Sequence, residues 1–213
     1  MTRTSGGGIL QFNFFGTDED KYKILEGLKY QRELIDREHE LRLMEYVREL
    51  PFREFDFHGY KGKRRIVSFG WQYEYSGAGA LRKADDIPPF LLNLRKLAAA
   101  FAILEASELQ HVLVTEYGPG AGIGWHRDKA VFGKVVGVSL LAPCVLRFRK
   151  KINEDKKWER VNVFAEPRSA YLLDGPARSE WEHSILRVDA LRYSITFREV
   201  LIEPLNQLNA KAN

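Results

Sequence analysis

Sulfur chemistry is nearly absent from this chain. Cys144 is the single cysteine in 213 residues, so no disulfide can form within the chain. A closed structural zinc site built on several thiolates is equally disfavoured. Cys144 lies in the apolar run VSLLAPCVLRF, which reads as a packing position rather than a reactive thiol. Apolar stretches of membrane length and signal-peptide patterns are also missing, so a cytoplasmic protein with no membrane partner is expected. Neither sign of charge dominates: 33 Lys and Arg face 29 Asp and Glu, leaving +4. That mild excess permits contact with a polyanion without requiring one. No internal repeat and no second domain is evident, and 45% hydrophobic content suits one domain with a sizeable core, expected to be a monomer.

What the chain does contain is concentrated in three segments: TEYGPGAGIGWHRD (Thr115 to Asp128), WEHSI (Trp181 to Ile185) and RYSITFR (Arg192 to Arg198). They supply three potential metal ligands in the order His126, Asp128, His183. A histidine-x-carboxylate with one distant histidine is the ligand set of a facial triad, which leaves positions on Fe(II) open. His126 and Asp128 are two apart, so an extended backbone points them the same way. Arg192 and Arg198 alternate with Tyr193, Ile195 and Phe197, so a strand places both arginines, with Ser194 and Thr196, on one face. A guanidinium is costly to bury unpaired, so two on an inner face imply an anion there.

These segments resemble the AlkB family of Fe(II)/2-oxoglutarate dioxygenases, with its N-x-Y-x-P-G, H-x-D, distant His and R-x-N-x-T-x-R pattern, over about Gly27 to Val200. Thr115 stands where the family usually has Asn, and Ser194 stands at the Asn of the arginine motif; both keep a hydrogen-bonding group on a shorter side chain. The resemblance implies Fe(II) held by His126, Asp128 and His183. 2-Oxoglutarate and O2 are the implied co-substrates. Arg192 is then expected to pair with the distal carboxylate of 2-oxoglutarate and Arg198 to lie near its keto-acid end. Thr115, Tyr117, Ser194 and Thr196 complete the expected co-substrate site.

The implied substrate is alkylated DNA or RNA. KGKRRIVSFGWQYEYSG (Lys61 to Gly77) resembles the family's lid over the target nucleotide. Trp71, Tyr73 and Tyr75 alternate onto a common face behind Lys61, Lys63, Arg64 and Arg65, as in proteins that grip unstacked bases. A packed aromatic strand with a solvated basic turn is the alternative. Arg127 and Lys129 flank Asp128 and are candidate phosphate contacts, and Arg178 matches an arginine near the iron. Gln11 to Phe15, QFNFF, resembles peptides that dock on DNA sliding clamps; packing of these aromatics on the domain is the competing reading. Three functions therefore stand: oxidative dealkylation of bases, a nucleic-acid or clamp-binding module with little turnover, and the same oxygenase chemistry on a protein or small molecule.

Around these motifs the pattern predicts a tail (1–26), a domain (27–203) and a second tail (204–213). A strand is expected over Gly27 to Ile35. A helix capped by Asp36 should bury Leu41, Leu43, Met44, Val47 and Leu50 and end at Pro51, and a second, opened by Pro88 and Pro89, should turn Leu91, Leu92, Leu94, Leu97 and Phe101 to the core. Strands are expected at Arg53 to His58 and Arg65 to Tyr75, joined by a turn at Gly59 and Gly62, with a polar loop over Ser76 to Asp86. Eight short strands from His111 to Glu199 should follow, with Lys150 to Lys157 as an exposed hairpin tip. Many short strands behind two helices suggest an α+β jelly roll with helices on one face; the resemblance implies a double-stranded β-helix.

Overall fold

A computed structural model describes residues 25–57, 60–73, 81–152 and 157–201. Residues 1–24, which include Gln11 to Phe15, the tail 204–213 and Tyr75 lie outside the described residues, and of Tyr73 only the strand position is described; Leu25, within the expected first tail, is buried against the domain. The first strand, β1 (Leu28–Gln31), precedes helix α1 (Arg37–Val47). Asp36 caps that helix, its Oδ1 accepting from His39 N at 2.7 Å. Strands β2 (Arg53–Phe57) and β3 (Tyr60–Tyr73) form a hairpin, so β3 begins earlier than its basic, Gly-containing start suggests and takes in Gly62. The expected polar loop contains a short strand, β4 (Leu81–Lys83), paired with Trp71 to Tyr73. Helix α2 (Pro89–Ala102) follows. In α1 and α2, Leu41 and Leu92 stand outward, contrary to expectation, whereas Glu40 is buried beside Leu43, Met44 and Val47.

The remaining strands are β5 (Leu109–Tyr117), β6 (Ile123–His126), β7 (Phe132–Leu140), β8 (Cys144–Ile152), β9 (Lys157–Ala165), β10 (Ala170–Leu173), β11 (Glu182–Ile185) and β12 (Arg192–Val200), with a short helix α3 (Gly175–Ser179) between β10 and β11. They make two antiparallel sheets. The larger runs β1-β10-β7-β12-β5-β3-β2 with β4 on β3; the smaller runs β6-β11-β8-β9. Successive strands from β5 to β12 divide between two sheets as in a double-stranded β-helix.

Alternation on the larger sheet creates two separate cores. Tyr193, Ile195, Phe197, Val112, Val114, Val136 and Val138 join Leu43, Met44, Val47, Leu91, Leu94 and Ala98 of the helices in one cluster. Tyr117, Val135, Tyr171 and Leu173, on the opposite face, join Leu146, Phe148 and Ile185 of the smaller sheet in the other. The polar partners on that second face are what build the site. No helix among the described residues is long and apolar enough to cross a membrane.

Candidate metal and co-substrate site

Three neighbouring strands bring the polar row together. Pairing of β12 with β5 sets Arg192 opposite Tyr117, Ser194 opposite Thr115 and Arg198 opposite His111. Pairing of β12 with β7 sets Ser194 opposite Ser139 and Thr196 opposite Gly137. Thr115, Ser194 and Ser139 thus form a row of buried hydroxyls between the two arginines. On the smaller sheet His126 and His183 are direct cross-strand partners. Their rings lie 4.2 Å apart, centroid to centroid.

Asp128, two residues beyond β6, completes the convergence: its Oδ2 is 3.7 Å from His183 Nε2. Arg198 holds the other oxygen, donating from Nε at 2.9 Å, with its terminal nitrogen 2.8 Å away. Arg198 in turn reaches His111 Nδ1 at 3.3 Å. Among the described residues no three His, Cys, Asp or Glu side chains are already gathered tightly enough to hold a metal ion. The three donors converge on one place without closing on it. His126 Nδ1 lies 2.9 Å from the Gly124 carbonyl; when it donates there, the Nε2 lone pair is free to coordinate.

Electrostatics favours donors in their coordinating forms. Burial and the neighbouring His126 hold His183 down to about 3. Burial likewise lowers His126. Burial alone would raise Asp128, but Arg198, His183, His126 and Arg178 together hold it well below the usual carboxylate range. Two neutral imidazoles and one carboxylate form an N/O donor set that fits Fe(II).

At the far end of the hydroxyl row Arg192 is fully buried. Its Nε donates to Ser139 Oγ at 3.2 Å, and its guanidinium lies 4.8 Å from the Tyr117 ring centroid. Both terminal nitrogens are buried and have no hydrogen-bond partner among the described residues. Two adjacent unmet donors on a buried cation fit a bidentate carboxylate. Tyr171 faces the same space, and a Cβ at Gly137 would overlap its ring; only glycine there lets the ring lie flat across the sheet. Burial raises the Tyr171 phenol strongly, so it stays a neutral hydrogen-bonding group. Ser139, Gly137, Tyr171 and His111 were not singled out from sequence; the alternation Val135-Gly137-Ser139 was the one available signal.

The proposed substrate contacts divide. Arg178 donates to the Gly133 carbonyl at 3.1 Å and the Phe132 carbonyl at 2.7 Å, and also to the Lys129 carbonyl; it fastens the loop that follows Asp128. Arg127 donates to the Ser179 carbonyl at 3.1 Å. Arg65 and Trp71 turn away from the triad: Arg65 pairs with Glu116 at 2.7 Å on the helix-covered side, and Trp71 lines a groove with Ile87, Leu92 and Arg95. By parity Arg64, Ile66 and Ser68 are the β3 residues on the inner face, in register with Tyr117, Thr115 and Leu113.

The sequence matches the family model of the 2OG-Fe(II) oxygenase superfamily over residues 13–198. Among curated relatives is an alkylated DNA repair protein ALKBH8 homolog of Arabidopsis thaliana, 23% identical over 67% of this chain and 51% of its own length. The chain thus spans about half of that relative. The solved structure of OsALKBH1 superposes with a TM-score of 0.59 at 17% identity, over 81% of this chain and 98% of its own. A Pseudomonas putida prolyl-4-hydroxylase superposes with a TM-score of 0.54 at 16% identity, over 85% and 95%. Both likenesses are of fold. With the match extending from residue 13 to 198, the chain belongs to the 2OG-Fe(II) oxygenase superfamily, whose members use Fe(II), 2-oxoglutarate and O2, as an AlkB-like member.

Proposed function

We propose that this protein oxidatively dealkylates nucleic-acid bases. The observation that carries the oxygenase part is Arg192, fully buried with both terminal nitrogens unpartnered among the described residues, on the same larger-sheet strand as Arg198, which grips Asp128 of the triad. In this reading those three residues hold Fe(II). Arg192 receives the distal carboxylate of 2-oxoglutarate, with Tyr117, Tyr171 and the hydroxyls of Thr115, Ser194 and Thr196 around it. Arg198 fixes Asp128 so that one oxygen is kept for the metal. When bound, Fe(II) with 2-oxoglutarate and O2 supplies the oxidation that turns an N-methyl group into a hydroxymethyl group, lost as formaldehyde, with succinate and CO2 as co-products. Arg178 orients the loop after Asp128, and burial, helped by the charge of Arg64, holds His126 in its neutral form.

The nucleic-acid part draws on the DNA-repair name of the Arabidopsis relative and on the cations of β3. The competing reading keeps the oxygenase and changes the substrate to a protein or small molecule. The placement of Arg65 and Trp71 away from the triad favours that reading, since it takes two candidates for base contact out of the site. Formaldehyde release from a panel of methylated oligonucleotides decides between them. Succinate release alone does not, because such enzymes turn over 2-oxoglutarate without substrate. The expected result is formaldehyde from at least one oligonucleotide, with Fe(II)-dependent turnover abolished and the circular dichroism spectrum retained in His126→Ala. Wild-type turnover by that variant would overturn the catalytic assignment.

A further inference from the structure

The outer face of the smaller sheet carries cations that the fold leaves unbalanced. Leu146, Phe148 and His183 turn inward, so alternation turns Arg147, Arg149, Trp125, Trp158 and Arg160 outward. Arg149 stands directly opposite Arg160 in the β8–β9 register. A like-charge pair at that position disfavours the sheet unless an anion offsets it. Glu182 meets Arg149 at 2.6 Å but leaves Arg160 without a hydrogen bond or ion pair among the described residues.

Aromatic rings hold these guanidiniums in place. The Arg149 guanidinium lies 4.4 Å from the Trp125 ring centroid and 4.2 Å from that of Trp158. Arg147 lies 4.8 Å from Trp125 on the same side. Such stacking fixes a guanidinium plane while leaving N–H edges to meet an anion.

Next to this ladder is a groove of about 580 Å³ whose charged walls are Lys63, Arg147 and Arg187. No carboxylate among the described residues lines it. Its floor includes the backbone of Gly120, Gly122 and Gly124, and a Cβ at Gly124 would meet nothing within 4 Å. Lys63 and Arg187 are exposed and have no hydrogen bond or ion pair among the described residues. The groove shares strands with the triad: Gly124 of its lining is two residues before His126 on β6, and Ile185 is two residues after His183 on β11.

We propose that this groove, continued by the Trp125–Arg149–Trp158 ladder, binds the sugar-phosphate backbone of single-stranded nucleic acid and leads the strand to the triad. The proposal rests on the nucleic-acid reading of the site. Regularly spaced phosphates suit three separated cations on bare backbone, and indole rings beside guanidinium planes suit unpaired bases. A duplex presents no open base face to such rings.

The test is fluorescence anisotropy with a labelled, unmethylated oligothymidylate on the order of 15 nucleotides. The full chain is compared with Lys63→Gln/Arg187→Gln, two exposed positions whose folding is checked by circular dichroism. Losing two phosphate contacts at roughly 0.7 each should make the slope of log affinity against log salt shallower by about 1.4. Affinity should fall more than about tenfold at 0.1 M salt. An unchanged slope and affinity overturn the track. So does poly-glutamate that competes as well as the oligonucleotide at equal charge, since the surface would then read charge alone. Strand binding that depends on Lys63 and Arg187 without formaldehyde from any methylated strand leaves the track standing and removes the dealkylase. Formaldehyde release with a double variant that binds like wild type does the reverse.

Discussion

Burying a guanidinium is expensive unless its N–H groups are met, and among the described residues Arg192 makes one hydrogen bond, from Nε to Ser139 Oγ. On the proposed assignment, this side chain costs the fold stability that a bound dicarboxylate offsets by taking the remaining donors. Arg192→Met should raise the melting temperature of the metal-free protein or leave it unchanged, since an unpaired buried charge is exchanged for an apolar chain. The same variant should weaken 2-oxoglutarate binding by about two orders of magnitude, the worth of ~3 kcal/mol of charge-assisted hydrogen bonding. Calorimetric titration of 2-oxoglutarate with Mn(II) in place of iron reads this, and wild-type affinity would show that the carboxylate sits elsewhere. At this scale much of the candidate site was legible: His126, Asp128, His183, Arg192 and Arg198 are ionisable residues at fixed spacing in, or just beyond, short strands. Ser139 and Tyr171 were not, because a serine or tyrosine in an apolar strand is chemically unremarkable until the register shows what it faces. Arg65 and Trp71 entered as candidates through the lid resemblance and the aromatic alternation; both faces of β3 mix polar and apolar residues, so periodicity does not say which face looks inward.

Helix α1 is bolted to the larger sheet by one buried carboxylate. Glu40 accepts from Leu141 N at 2.8 Å and from Arg168 at 3.3 Å. Leu141 and Arg168 have φ of 67° and 68°, left-handed conformations that disfavour side chains with a Cβ. They lie at the end of β7 and the approach to β10, and Arg168 N donates to the Ser139 carbonyl at 2.7 Å. The helix side therefore reaches the residue that holds Arg192. Glu40→Ala should cost on the order of 3 kcal/mol, because it strands a backbone donor and a half-buried arginine at two strained corners. Glu40→Gln, which keeps an acceptor, should cost about 1 kcal/mol. Urea unfolding of the two variants checks the ranking; equal effects would mean that volume, not the acceptor, matters. The helices and most strands were legible from periodicity, capping and turn residues. Glu40 was not, since a carboxylate on an amphipathic helix ordinarily faces water. Nor was β4, whose three residues are too short a run to show strand alternation inside a polar stretch.

The whole molecule carries a pH dependence written in its buried histidines. Burial and Arg198 bring His111 down to about 3, against an ordinary value near 6.5. A folded-state value below the unfolded one means that the unfolded chain binds the proton first. Stability from this group is therefore complete above about 6.5 and is lost as pH falls toward 3, at roughly 1 kcal/mol per pH unit. His111→Asn, whose side-chain oxygen can take the place of Nδ1 beside Arg198, should flatten that slope by one proton in denaturant titrations between pH 4 and pH 6. An unaltered slope would place the acid sensitivity in other groups. The sheets add a further property. β6 closes one margin of the smaller sheet and pairs there with β11 alone. It carries His126, while β11 carries His183 directly across from it. A single ion gripped from both strands would act as a rivet along that margin, so coordination energy becomes cohesion for the part of the scaffold least supported by its neighbours.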